Sequence, residues 1–147
     1  MSLSDEDRTR AARRLIDALP FSTALGMRLE MLEPGVAEIS MPWSAELVGD
    51  PETGVIHGGA VSALMDTCGG AAVVSATGST TATLDLRIDY MRAAKPGDRI
   101  TARAECHHVT RSVAFVRARA WDEAGAEAPV AIANGAFTTN SDPVTGG

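Results

Sequence analysis

The sequence predicts an α+β domain: an antiparallel β-sheet wrapped around one long central α-helix, with a further helix at the N-terminus. Three observations carry this. Gly54 to Leu84 is a weakly polar stretch that holds one long helix candidate, running from near Gly58 to a Gly78-Ser79 break. A nearly uncharged helix of that length must be covered on most of its sides. Leu84, Leu86, Ile88 and Tyr90 then alternate with Thr83, Asp85, Arg87 and Asp89, the period of a strand with one apolar and one polar face. Further strand-like segments follow with short links, which favours antiparallel pairing.

Taken in order, Ser4 to Leu19 reads as an amphipathic helix. Asp5, Glu6 and Asp7 occupy its first turn, where the helix dipole favours acids; Leu15, Ile16 and Leu19 form an apolar stripe, and Pro20 closes it. Met27 to Met41 reads as a hairpin about Glu33-Pro34-Gly35, and Pro42 to Ile56 as a loop. After the long helix and the strand at 83–90, Lys95-Pro96-Gly97-Asp98 is a turn. Ile100 to Val109, Val113 to Trp121 and Val130 to Thr139 are three more strands, the last two joined through a turn at Asp122 to Gly125. The organisation expected is an N-terminal helix over 1–20, a single domain over 21–140 and a flexible tail over 141–147.

The chain has 147 residues, 45% hydrophobic, enough for one domain to bury a core without disulfide staples. Its formal net charge of -6 argues against a partner such as nucleic acid, whose phosphate backbone needs neutralising. Two cysteines, Cys68 and Cys106, are too few for a disulfide framework, and the N-terminus lacks a basic start followed by an apolar run. A cytoplasmic location is expected. The Gly pairs, hydroxyl residues and a carboxylate that interrupt residues 54–84 argue against a membrane span.

That carboxylate is Asp66, the only formally charged residue between Glu52 and Asp85. Its neighbours one helical turn away, Ser62, Ala63, Gly69 and Gly70, are all small, and no cation lies within a turn. A buried carboxylate is costly unless paired, hydrogen-bonded or neutralised. Either Asp66 faces solvent or satisfies a backbone group across the core, or the small neighbours leave room for a ligand and the carboxylate acts as base or nucleophile. His57-Gly58-Gly59 opens the same helix, where first-turn N–H groups suit an anion or a developing oxyanion. A Gly pair there also serves simple steric needs, and His57 alone reads as a local hydrogen-bonding residue. Asp66 lies eight residues beyond Gly58, about 12 Å along a helix. One chain therefore cannot easily bring both to one carbonyl. Two antiparallel copies across a twofold axis could, which predicts a symmetric homodimer with composite sites.

His57-Gly58-Gly59-Ala-Val-Ser-Ala-Leu-Met-Asp66-Thr67, the strand Thr83-Leu-Asp-Leu-Arg-Ile-Asp-Tyr-Met and the turn Lys95-Pro-Gly-Asp together resemble the hotdog-fold acyl-CoA thioesterases, most of all the phenylacetic-acid-degradation (PaaI-like) branch. The resemblance spans about Leu25 to Thr139. It implies a hotdog fold, hydrolysis of acyl-CoA with a small or aromatic acyl group, and a homodimer or dimer of dimers. No cofactor is implied, coenzyme A entering only as part of the substrate. It also implies Asp66 as base or nucleophile, the partner subunit's Gly58 N–H as oxyanion donor, His57 in a supporting role, and Thr83 holding the water or the acid. Gly59 and Asp50 fall to substrate binding. The family often carries an Asn six residues before the motif histidine; Pro51 stands there, leaving Asp50 or Thr53 to substitute through a loop shift. An ionised Asp cannot donate a hydrogen bond to a carbonyl as an amide can. The phosphates of coenzyme A need local cations, and eight of the thirteen basic residues fall between Arg87 and Arg119. Arg92, Lys95, Arg111 and Ser112, at strand ends or turns, are candidates, against the plainer reading of solvated strand faces.

Other signals carry less. In a strand, Cys106 and His108 point away from His107, so Cys106-His107-His108 is no metal cluster but a core cysteine with two ordinary histidines. Cys68 reads as packing, and Trp43, Leu47 and Met65 as the wall of the acyl pocket. Gly-x-Ser-x-Gly, P-loop and Gly-x-Gly-x-x-Gly patterns are absent. The alternatives to a thioesterase are a hotdog dimer that binds acyl-CoA without hydrolysing it and, ranked last, a dehydratase acting on hydroxyacyl thioesters.

Overall fold

The computed structural model describes residues 3–139; the tail expected over 141–147 lies outside them. Ser4 caps α1 (Asp5–Asp17), its hydroxyl accepting from the Asp7 N–H above a first turn of three acids. Ala12 and Ile16 are the residues that bury fully, while Leu15 and Leu19 are half-buried. Pro20 does not close this helix. α1 ends at Asp17, and Pro20 opens a second short helix, α2 (Pro20–Ala24), at the position where a missing N–H costs nothing.

β1 (Arg28–Glu33) and β2 (Val36–Met41) form the expected hairpin, with an irregularity between Leu29 and Met31. The segment expected as a loop holds a 3-10 turn at Ala45–Leu47 and a two-stranded ribbon, β3 (Val48–Asp50) with β4 (Val55–Ile56). Strands of three and two residues are too short to show a period.

α3 (Gly58–Thr77) is the long central helix, stopped by Gly78 in the left-handed region (φ 70°), whose N–H bonds the Val74 carbonyl. Its hydropathy over 18 residues averages 1.3, enough by composition for a membrane span. The sheet covers it instead. β5 (Thr83–Tyr90), β6 (Ile100–Val109), β7 (Val113–Trp121) and β8 (Ala131–Thr138) complete a six-stranded antiparallel sheet in the order β1-β2-β6-β7-β8-β5. Its inner face is rich in alanine: Ala102 and Ala104 of β6 and Ala114 and Ala120 of β7 are wholly buried. Small side chains let α3 settle close to the sheet, and its own Leu64, Met65 and Cys68 fill the space.

Chain order and sheet order part company at β5. It does not lie beside β6; the link 91–99 carries the chain across the sheet, and β5 pairs only with β8, at the edge. Its apolar face is accordingly half-covered, with Leu84 57% and Tyr90 52% exposed. Of the two cysteines, one matches its expected place and one does not. Cys68 is packing, as expected: its Sγ donates to the Ala37 and Ala102 carbonyls at 3.3 and 3.4 Å, and burial pushes the thiol up to about 12. Cys106 is half-buried rather than core, and an irregularity between Cys106 and His108 breaks the alternation assumed there. Among the described residues no group of three or more metal-binding side chains forms.

The crossing link is pinned by Asp122. This carboxylate, in a residue only 2% exposed, accepts two hydrogen bonds from the Arg92 guanidinium (2.7 and 2.8 Å) and one each from the Lys95 and Ala124 N–H groups (3.0 and 3.1 Å). Arg92 also donates to the Ala128 carbonyl at 2.7 Å. The Arg92 hydrogen bonds hold the Asp122 carboxyl far below its ordinary value of 3.8. A carboxylate depressed in the folded state stabilises fully above the unfolded value, progressively less as pH falls from there, and not at all below the folded value. Arg92→Ala is therefore expected to lower the melting temperature by several degrees at pH 7, and the gap from the parent to narrow as the pH is taken below 4. Calorimetric melting of both proteins across that range checks it.

Candidate functional site

Asp66 sits a little over two helical turns into α3, half-buried rather than sealed in the core. Its Oδ1 accepts a 2.6 Å hydrogen bond from the Thr83 hydroxyl at the start of β5, and no cation pairs with it among the described residues. Sequence reasoning paired these two residues only through the family resemblance; here they touch. The small neighbours differ in what they do. A Cβ on Gly69 would lie 2.8 Å from the Phe137 ring, so that glycine makes room for core packing and not for a ligand. A Cβ on Gly70 would meet only the Thr81 methyl, at 3.8 Å, and this side of the helix is open.

At the start of α3 nearly every polar group is already engaged. The His57 Nδ1 accepts from the Gly59 N–H at 2.7 Å, and the His57 carbonyl from the Ala60 N–H at 2.9 Å. The His57 N–H itself donates to the Leu47 carbonyl at 2.8 Å. The Tyr90 hydroxyl, at the far end of β5, donates to the Gly58 carbonyl at 2.9 Å. The Gly58 N–H alone in this turn finds no acceptor among the described residues. A helix start presents such orphan donors to whatever lies beyond it. Gly59, expected to bind substrate, has its N–H consumed by the cap, while His57 is a capping residue whose imidazole fixes the turn.

Tyr90 is the residue sequence reasoning missed. Its ring packs against Gly58, lying at ordinary contact distance (3.4–3.5 Å) from where a side chain there would begin. The available signal was modest: Tyr90 is the single tyrosine in the chain, ending the apolar face of β5.

Two clefts flank Gly58. One, of about 310 Å³, lies between α2, the 3-10 turn and the first turns of α3, and includes His57 and Gly59. The other, of about 240 Å³, lies on the β5 side and includes Gly58 itself and Tyr90. A larger recess, about 630 Å³ on the outer sheet face, holds Arg103, Arg117 and Trp121 but none of these residues. Arg103 there is tied to Glu38 at 2.8 Å.

Of the other expected residues, Asp50 accepts from the Glu52 N–H (3.1 Å) and the Thr53 hydroxyl (2.8 Å), closing the turn between β3 and β4. These bonds hold its carboxyl below the usual range. Asp50 and Thr53 therefore serve one another, beside Pro51, and neither lines either cleft. Arg92 lines the β5-side cleft and is paired there with Asp122, a structural bond that occupies its guanidinium. Lys95 is exposed just past the β5-side cleft. Arg111 and Ser112 are exposed on the β6–β7 turn, whose carbonyls accept from Thr139. The turn lies at the end of the sheet where Thr83 begins β5. Leu47 lines the first cleft as expected; Met65 is wholly buried, and Trp43 instead bonds the Gly54 carbonyl through its indole N–H at 2.9 Å.

Residues 53–129, a span that includes His57, Gly58, Asp66, Thr83 and Tyr90, match the family model of the Thioesterase superfamily. Medium/long-chain acyl-CoA thioesterase YigI of Escherichia coli K12 is 29% identical, the alignment covering 71% of this chain and 77% of that protein. A variant of the phenylacetic acid degradation protein PaaI from Thermus thermophilus superposes with a TM-score of 0.74 at 30% identity, covering 83% of this chain and all of the other (100%). PaaI of Escherichia coli superposes with a TM-score of 0.85 over 95% of this chain and 97% of its own, at 21% identity, a likeness of fold. The fold is the hotdog fold.

The Tyr90 hydrogen bond has a consequence readable without any ligand. Tyr90→Phe removes one bond to a backbone carbonyl, worth about 1 kcal/mol. Amide exchange over residues 59–62 is expected to speed up while that of the central sheet stays unchanged, as hydrogen-exchange mass spectrometry would show.

Proposed function

This chain belongs to the thioesterase superfamily, and from that premise we propose that it hydrolyses acyl-CoA thioesters to the free acid and coenzyme A as a symmetric homodimer. The observation that carries the reading is the unclaimed Gly58 N–H in a turn whose other polar groups are fastened, on the same helix as a carboxylate oriented by Thr83. An oxyanion donor must reach about 2.7–3.1 Å from the oxygen, and a general base must stand within hydrogen-bond reach of the attacking water. Eight helical residues separate Gly58 from Asp66, about 12 Å. Both demands are met when the Gly58 of one subunit faces the Asp66 of the other, across antiparallel α3 helices. The half-covered face of β5 and the open side of α3 at Gly70 support such a partner.

In this mechanism the thioester carbonyl oxygen accepts from the Gly58 N–H, which polarises the bond. Asp66 takes a proton from water as the oxygen attacks the carbonyl carbon, and the carbonyl electron pair moves onto the oxygen facing Gly58. Collapse of that intermediate breaks the C–S bond; the thiolate leaves and takes the proton back from Asp66. Direct attack by Asp66, through an anhydride that water then opens, uses the same groups. Thr83 holds one carboxylate oxygen and leaves the other for either role. His57 fixes the helix start, and Tyr90 positions the Gly58 peptide. Lys95 and Arg111, with Ser112 beside it, are the groups proposed for the phosphates of coenzyme A.

Likeness to the PaaI proteins supports a small or aromatic acyl group, and likeness to YigI supports a medium or long chain. One observation favours a second reading, a dimer that binds acyl-CoA without turning it over: Pro51 stands where a side-chain amide could assist, and Asp50 and Thr53 are bonded to each other.

The test is thiol release from acetyl-, octanoyl-, phenylacetyl- and palmitoyl-CoA. Asp66→Asn keeps the shape and removes the base, and is expected to lower kcat by about a hundredfold or more with the melting temperature unchanged. Parental turnover in Asp66→Asn would end the mechanism. Tight acyl-CoA binding in calorimetry with no thiol released would establish the second reading.

A further inference from the structure

We infer that Gly49, in the short ribbon of β3 and β4, is a positioning residue for the reaction: it seats the His57–Gly58 peptide so that the Gly58 N–H points at the thioester oxygen. This rests on the acyl-CoA reading above and adds to it a residue that lies outside the reacting turn.

The Gly58 N–H belongs to the rigid peptide plane that runs from the His57 Cα to the Gly58 Cα. Its direction is set by where those two atoms sit and by the rotation at His57, whose ψ is 136°. Tyr90 holds the far corner, its hydroxyl donating to the Gly58 carbonyl at 2.9 Å. The ribbon holds the near corner. The His57 N–H donates to the Leu47 carbonyl at 2.8 Å, and Gly49, two residues further on, lies against the His57 Cα. A Cβ on Gly49 would stand 2.8 Å from that atom, 3.1 Å from the His57 Cβ and 3.3 Å from the imidazole Cδ2. Carbons in contact settle at about 3.5–4.0 Å, so an added methyl displaces its neighbour by roughly half an ångström or more.

This contact is what requires glycine. Gly49 is not among the glycines at positive φ, so its backbone would accept alanine, and the three atoms nearest its missing side chain all belong to His57. Gly54, in the same ribbon, is a turn glycine at φ 76°. The ribbon is also braced from behind. The Trp43 indole N–H donates to the Gly54 carbonyl at 2.9 Å, and Asp50 closes the turn with the Glu52 N–H and the Thr53 hydroxyl. Pro96, in the link pinned by Asp122, lies against Gly54. A braced ribbon cannot retreat, so the displacement falls on His57 and turns the peptide. A donor that acts on the developing oxyanion loses its value when misdirected, and the loss appears in kcat rather than in KM.

The experiment measures kcat and KM on the best of acetyl-, octanoyl-, phenylacetyl- and palmitoyl-CoA, beside amide NMR spectra of the ligand-free proteins. Gly49→Ala is expected to lower kcat about tenfold with KM within about twofold of the parent. It is also expected to shift the Gly58 amide resonance while those of Asp66 and Thr83 stay in place. Trp43→Phe loosens the brace without adding bulk and is expected to lower kcat several-fold, which keeps the inference testable where Gly49→Ala does not fold. Glu52→Ala, exposed on the same turn, retains its N–H and is expected to keep the parental values. Parental kcat in folded Gly49→Ala, or in Trp43→Phe where Gly49→Ala does not fold, overturns the role of Gly49 and leaves the acyl-CoA reading intact. So does a kcat loss with the Gly58 amide unmoved, or an equal loss in Glu52→Ala. No hydrolysis of any of the four by folded parent protein overturns the acyl-CoA reading and this role with it.

Discussion

Strand β5 grips helix α3 with two side chains, and the candidate site depends on both. At its first residue Thr83 donates to Asp66, and at its last Tyr90 donates to the carbonyl of Gly58. Each bond joins residues well apart in the chain, and each fixes one of the two groups the proposed chemistry needs. The strand can do this because it lies at the sheet edge, paired on one side only with β8, with its inner face directed at the helix. An edge strand is ordinarily a hazard, since unpaired backbone groups recruit other chains. In the proposed dimer, that property is an asset.

The helix itself meets two opposed demands. Its core side must fill the sheet, which Leu64, Met65 and Cys68 do against a floor of alanines. In the proposed mechanism its other side must leave space beside Asp66, which the small Ala63 and Gly70 do. Gly69 belongs to the first demand, because Phe137 occupies the volume its side chain would take. Small residues along one helix thus have different causes, and only the three-dimensional neighbours distinguish them. The crossing link after β5 is equally part of the construction. Arg92 and Asp122 hold it down from the far side of the sheet, which keeps the end of β5 in place beneath the helix start.

Much of this was legible in the sequence where the signal was local and periodic. The bounds of α3 follow from the glycines at either end of a nearly uncharged stretch, those of β5 and β7 from two-residue alternation, and Asp66 stands out as a lone charge in an apolar stretch. Short elements escaped: α2, β3 and β4 contain too few residues to show a period. So did everything decided by long-range pairing. The place of β5 beside β8, the bond from Tyr90 to Gly58 and the ion pair of Arg92 with Asp122 each join residues about thirty or more apart, and no local rule reveals them. The cap that takes the Gly59 N–H is equally hidden, because it depends on how the His57 side chain turns. So are the bonds by which Asp50 closes its own turn with Glu52 and Thr53.

The central claim is that one subunit supplies the Gly58 N–H and its partner the Asp66 carboxylate, and a mixed dimer tests it most directly. Gly58→Pro deletes that N–H at the first helical position, where proline is welcome, and the extended backbone of His57 (φ -62°, ψ 136°) suits a residue preceding proline. Gly58→Pro and Asp66→Asn are each expected to be inactive alone. Unfolded and refolded together, half of the dimers pair one of each kind, and each such dimer has one intact composite site of two. The account predicts recovery of roughly a quarter of parental thioesterase activity. A refolded mixture as inactive as its components, with mixed dimers shown to be present, would contradict it and place both groups on a single chain.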